Sequence, residues 1–97
     1  MAQYVLTPAA KGDLATIVEY IAQDSVDVAL QVLERFEEVL DLLAENPGIG
    51  HLREDLASRR IRFFPVHSYL VVYLAEVEPL RVVRILSAAR DIKGILG

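Results

Sequence analysis

Apolar and polar positions change their spacing along this chain, and the changes mark its elements. Tyr4–Leu6 is a short apolar run ending at Thr7-Pro8. It predicts a first strand, with Thr7 as the N-cap of a helix and Pro8 at a first position where its missing N–H costs nothing. From about Pro8 to Gln23, Ala10, Leu14, Ile17, Val18 and Ile21 recur at three- and four-residue spacing, the stripe of an amphipathic helix. Asp24-Ser25 ends that helix and can cap the next. The second helix runs from about Val26 to Glu45, with Ala29, Val32, Leu33, Phe36, Val39, Leu40 and Leu43 on one side and Glu34, Glu37, Glu38 and Asp41 off it. Almost no loop joins the two, so they pack as an antiparallel hairpin.

Asn46-Pro47-Gly48-Ile49-Gly50 stops the second helix, and a loop over His51–Ser58 follows. Arg59–Phe64 then alternates charged and apolar residues like a half-exposed strand. Pro65 cannot donate to a ladder and marks an edge, a bulge or the strand's end. His67-Ser68 predicts a turn, and Tyr69–Ala75, apolar on both faces, a central strand. Glu76–Leu80 is a second turn, Arg81–Ala88 the last strand, and Ala89–Gly97 a tail with room for a helical turn from Asp91. The expected domain is α+β, a two-layer β-α-α-β-β-β arrangement with the helical hairpin packed on a small antiparallel sheet. Periodicity leaves the place of the first strand in that sheet open. At 97 residues the whole of 1–97 reads as one domain.

Charge changes this picture. The net charge is −4, yet residues 1–57 hold eleven acidic and three basic side chains, whereas 58–97 hold seven basic and three acidic. An acidic first half and a basic second half predict a bipolar surface. Global acidity argues against a general nucleic-acid coat while leaving room for a local basic site. With no cysteine, disulfides, thiolate metal sites and a thiol nucleophile are excluded. The N-terminal residues show no basic segment leading into an apolar one, and the longest apolar run, Tyr69–Ala75, is far short of a bilayer span. The expectation is a soluble cytoplasmic protein.

Arginines recur through the strand region: Arg59, Arg60, Arg62, Arg81, Arg84 and Arg90. Exposed strand arginines often only solvate a sheet face or blunt an edge, and Arg59 and Arg60 fit that description. Arg62 and Arg84 sit inside apolar strands, where they either contact a partner or pair with carboxylates of the second helix. Arg90-Asp91 is either a local ion pair or a cap for the last turn. Tyr69 and Tyr73 share a strand face by the period of two and suit a cross-strand stack. His51 and His67 have no ligand cluster around them, so no metal or cofactor is expected. Gly48-x-Gly50 is a turn after a helix and not a phosphate loop.

Several of these segments, in order, resemble a known family. Tyr4-x-Leu6-Thr7-x-Ala9 followed by Asp13-Leu14-x-x-Ile17-x-x-Tyr20-Ile21 is similar to the start of toxins of the ParE/RelE superfamily. So are the loop Asn46-Pro47-Gly48-x-Gly50-x-x-Arg53-x-Asp55-Leu56, Arg62, the Tyr69–Tyr73 strand and the closing Val82-Val83-Arg84-Ile85-Leu86-x-x-x-Arg90-Asp91. The closer resemblance is to the ParE branch. It implies a type II toxin paired with a small cognate antitoxin that wraps and neutralises it, with DNA gyrase as the target. A RelE-like toxin would instead cut messenger RNA on the ribosome, and a non-toxic binding module with this fold is a third alternative. RNA cleavage needs cations around a phosphate and a group to move protons. Arg62 and Arg84 supply cations, but nothing after Tyr73 is a His or Tyr, and Ser87 stands where members of the family often show histidine. The expected mode is protein contact without catalysis. Candidate residues for antitoxin or target are Arg53, Arg59, Arg60, Arg62, Tyr69, Tyr73, Arg84 and Arg90, with no membrane partner and no sequence-specific nucleic acid.

Overall fold

A computed structural model describes residues 3–53, 55 and 60–96. Strand β1 (Tyr4–Leu6) leads into α1 (Pro8–Ala22) and α2 (Val26–Glu45), and a single 3-10 turn, Pro47–Ile49, follows. Then come β2 (His51–Leu52), β3 (Ile61–Val66), β4 (Tyr69–Leu74), β5 (Leu80–Ser87) and a short helix α3 (Ile92–Leu96). Both long helices start where their caps predict. The Thr7 hydroxyl accepts from the Ala10 N–H at 3.1 Å and the Ser25 hydroxyl from the Val28 N–H at 3.2 Å.

The sheet order is β1-β5-β4-β3-β2. β3, β4 and β5 form the expected antiparallel meander, with His67-Ser68 turning β3 into β4. His67 takes a left-handed conformation there, φ 55°. The sheet as a whole is mixed, because β1 lies parallel to β5 at the edge, Tyr4 opposite Leu80 and Leu6 opposite Val82. The helical hairpin supplies the crossover that a parallel pair requires. Two residues of the expected loop, His51 and Leu52, pair with Phe63 and Arg62 as a rudimentary strand. That strand ends at Phe63, so Pro65 lies within β3 where no outer neighbour asks for its N–H.

The hairpin packs on one face of the sheet. Ala10, Ile17, Phe36, Val39, Leu40 and Leu43 bury against Val66, Val71, Tyr73, Leu80, Val82 and Ile85. On the other face Phe63, Val72 and Leu86 gather under Ile92 of α3. Alternate residues of β4 thus serve two cores, which is why its sequence is apolar throughout. β5 changes parity: Val82 and Ile85, three apart, both face the hairpin. A bulge does this, since Val72 opposes Arg84 while Tyr73 opposes Val82, leaving Val83 unpaired against β4.

Candidate functional site

Two polar networks anchor the region where the candidate residues gather. The first ties the loop after α2 to the sheet. Tyr73 is wholly buried; its hydroxyl donates to the Pro47 carbonyl at 2.7 Å and accepts from the Gly50 N–H at 2.8 Å. Arg62 clasps the same loop from the next strand, its Nη1 donating to the Gly50 carbonyl at 2.8 Å and to Gly48 at 3.3 Å. Gly50 is required because a Cβ there would run into the Tyr73 hydroxyl. Burial pushes the Tyr73 phenol above its ordinary pKa, against the opposing pull of the Gly50 N–H and the Arg62 charge.

The second network closes the open stretch of β5. β1 stops at Leu6, so beyond Val82 the outer edge of β5 has no strand beside it. Residues from the start of α1 take over. The Thr7 N–H donates to the Val82 carbonyl at 3.0 Å, and its hydroxyl donates to the carbonyl of the bulged Val83 at 2.7 Å. Asp13 accepts from the Ile85 N–H at 3.0 Å and holds Arg84 in a two-pronged pair, Nε–Oδ2 2.7 Å and Nη2–Oδ1 2.9 Å. These side chains are only 26% and 15% exposed, so solvent screens them less than a surface pair. Burial alone would raise the Asp13 pKa. The Arg84 hydrogen bond, the Ile85 N–H and the charges of Arg84 and Arg90 outweigh it and hold the carboxyl below the usual range. Asp13 in turn raises the Arg84 pKa.

The partner that Arg84 finds is on α1 and not on α2, and Arg62 finds backbone carbonyls and no carboxylate. The sequence spacing misleads because α2's acidic residues line the solvent side of the hairpin, whereas Asp13 lies over the β5 edge. Tyr69 and Tyr73 do share the hairpin face, yet Tyr69 packs on Phe36 of α2, ring centroids 6.0 Å apart, instead of forming the expected cross-strand stack. Of the other candidates, Arg53 is exposed and held by Asp55 at 3.1 and 3.0 Å. Arg60 is an exposed turn residue 3.7 Å from Glu76, and Arg90 is exposed beside α3. Arg59 falls outside the described residues. Asp91 serves as the cap, accepting from the Gly94 N–H at 3.1 Å. Among the described residues no group of three or more His, Asp or Glu is placed to hold a metal ion.

Two concave surfaces adjoin these residues and elements. One, a cavity of about 280 Å³, is almost purely apolar: Leu6 at the sheet edge, Leu14, Ala15 and Val18 of α1, and Leu33 of α2, with Lys11 at its rim. The β1 edge beside it is unpaired among the described residues. The other, about 380 Å³, lies on the opposite face between Arg53, Arg90 and Lys93 over a floor of Leu70, Ala88 and Ile92. Sequence reasoning missed the first because Leu14 and Val18 were assigned to the core stripe of α1 and Leu33 to that of α2, and it missed Lys93 because nothing in the tail's pattern singles it out. No helix among the described residues is long and apolar enough to cross a membrane.

A family model described as the ParE toxin of the type II toxin–antitoxin system parDE matches residues 4–92. The chain is similar in structure to a protein of the chromosomal ParDE toxin–antitoxin system from P. aeruginosa, with a TM-score of 0.72 at 20% identity. That similarity covers 90% of this chain and 96% of the other. Among curated protein sequences none matches significantly.

Proposed function

Since this chain belongs to the ParE toxin family of type II toxin–antitoxin systems, we propose that it inhibits DNA gyrase by protein contact and is neutralised by a cognate antitoxin. The observation that carries the contact mode is that both arginines suited to clamp a phosphate are engaged within the chain. Arg84 places Nε and Nη2 on Asp13, and Arg62 places Nη1 on loop carbonyls. The Tyr73 hydroxyl is buried and engaged both as donor and as acceptor, so it has no proton to exchange with a substrate. A cytoplasmic location follows from a gyrase target.

The antitoxin fits the hairpin side. The apolar cavity around Leu14, Val18 and Leu33 would take the aliphatic side chains of an amphipathic helix, and the free β1 edge would accept an added strand. The basic second half of the chain would meet acidic antitoxin segments. Purified protein in molar excess over gyrase is expected to abolish supercoiling of relaxed plasmid, and addition of the antitoxin to restore it. Normal supercoiling in that excess would overturn the gyrase assignment.

A further inference from the structure

The groove between Arg53, Arg90 and Lys93 lies on the sheet face that the hairpin does not cover, and its walls and floor differ in chemistry. Arg90 and Lys93 are exposed cations on either side of the start of α3. Arg53 is oriented by its two-pronged pair with Asp55, which also cancels much of its charge. Asp91, the one acid among the described residues that line the groove, is turned to the Gly94 N–H. Leu70, Ala88 and Ile92 make the floor apolar. Cations above an aliphatic floor suit a peptide that alternates carboxylates with aliphatic side chains.

Nucleic acid suits it less well. Single strands are held by stacking bases on aromatic rings, and none of the described residues lining the groove is aromatic. Tyr69 and Tyr73 face the hairpin, and Phe63 is buried in the second core.

The groove is also within reach of the apolar cavity. Leu14 and Lys11 of α1 line the cavity, and Asp13, on a different side of the same helix, lies over the β5 edge bound to Arg84. Arg84 opposes Val72 in register and so belongs to the far face, and the Arg90 charge is felt at Asp13. A partner chain seated in the apolar cavity would reach the groove by crossing α1 and passing Asp13 and Arg84 at the edge of the sheet.

We propose that the Arg53–Arg90–Lys93 groove is a second docking site for the antitoxin, taking an acidic, aliphatic stretch of its chain that has passed around the β5 edge. This rests on the antitoxin reading above. The hairpin cavity then supplies apolar contact, and the groove supplies charge-assisted contact that fixes the antitoxin's register on the toxin.

The test uses the full chain and the purified product of the adjacent gene as the probe. Binding is titrated at low and high salt for the wild type and for the double variant Arg90→Glu/Lys93→Glu. Both side chains are exposed, so the variant should fold; Arg90→Glu takes a favourable charge from Asp13, so its thermal midpoint should lie at or slightly below that of the wild type, and binding is read well below it. The variant should bind about tenfold to hundredfold more weakly at low salt, and its affinity should depend less on salt than that of the wild type. Unchanged affinity and salt dependence would overturn the proposal, including the case in which gyrase inhibition alone is lost and the groove belongs to the target. Loss of self-association in the variant with antitoxin affinity intact would overturn it in favour of a second copy. A wild-type chain that does not bind the adjacent gene's product at all sinks the antitoxin reading itself. Intact binding by the variant sinks only the second site.

Discussion

Tyr73 does more than fill space. Its hydroxyl is the point through which the sheet holds the Pro47–Gly50 turn, and hence where the segment toward Arg53 departs. Tyr73→Phe keeps the ring but leaves a buried N–H and a carbonyl without a partner, which costs about 1–3 kcal/mol. The expected drop in thermal midpoint is roughly 4–8 °C per kcal/mol for a domain of this size. Replacing Gly50 by Ala would attack the same bond from the other side. Asp13 is the second pivot. Its carboxyl titrates lower folded than unfolded, so its stabilisation is complete above the unfolded value and is lost as pH falls through the folded one. Asp13→Asn should therefore be less stable than the wild type at neutral pH. The gap between the two should close as pH falls from about 4 downward, as followed by urea denaturation across a pH series. Identical acid limbs for the two proteins would contradict this.

At the scale of elements, α3 acts as a lid on a second core. Ile92 is nearly fully buried against Phe63, Val72 and Leu86. Ile92→Ala should cost about 2–4 kcal/mol and, because the hairpin core is separate, should leave amide protection in α2 unchanged relative to global stability. Hydrogen exchange would check that separation. The helices and the meander were legible in the sequence, down to the bounds of α2, because a long 3.6-residue stripe between Ser25 and Asn46-Pro47 has no competing reading. The two-residue β2 was not legible, since both residues are exposed and show no alternation. The bulge at Val83 was equally hidden. A run of Val-Val-Arg-Ile is compatible with any register, and only the Thr7 and Asp13 side chains that serve the β5 edge make the extra residue sit there.

For the molecule as a whole, the charge division read from composition becomes a division in space. α2 carries its acids outward, while Arg90 and Lys93 of the basic half converge on the far face. Such a dipole orients an acidic partner before contact. The association rate of toxin with antitoxin should fall at least about tenfold as ionic strength rises from about 0.05 to 0.5 M, with a smaller change in dissociation. Stopped-flow mixing measures this directly, and a rate insensitive to salt would remove electrostatics from recognition. The candidate arginines behave differently from one another in this frame. Arg62 and Arg84 build the scaffold, Arg60 pairs weakly with Glu76 at the surface, and Arg53 and Arg90 line a groove.

By itself the sequence determined the element order, the helical hairpin, the α+β class, the segregation of charge and the resemblance to ParE toxins. The resemblance rests on motifs of particular residues in order; the others depend on local periodicity, capping and composition, which act within a few residues. Only the tertiary structure decided that β1 pairs parallel to β5, that Asp13 and not α2 takes Arg84, and that Arg53, Arg90 and Lys93 meet. Those outcomes join residues far apart along the chain, where the choice of partner depends on which backbone edge is left open once the sheet has formed.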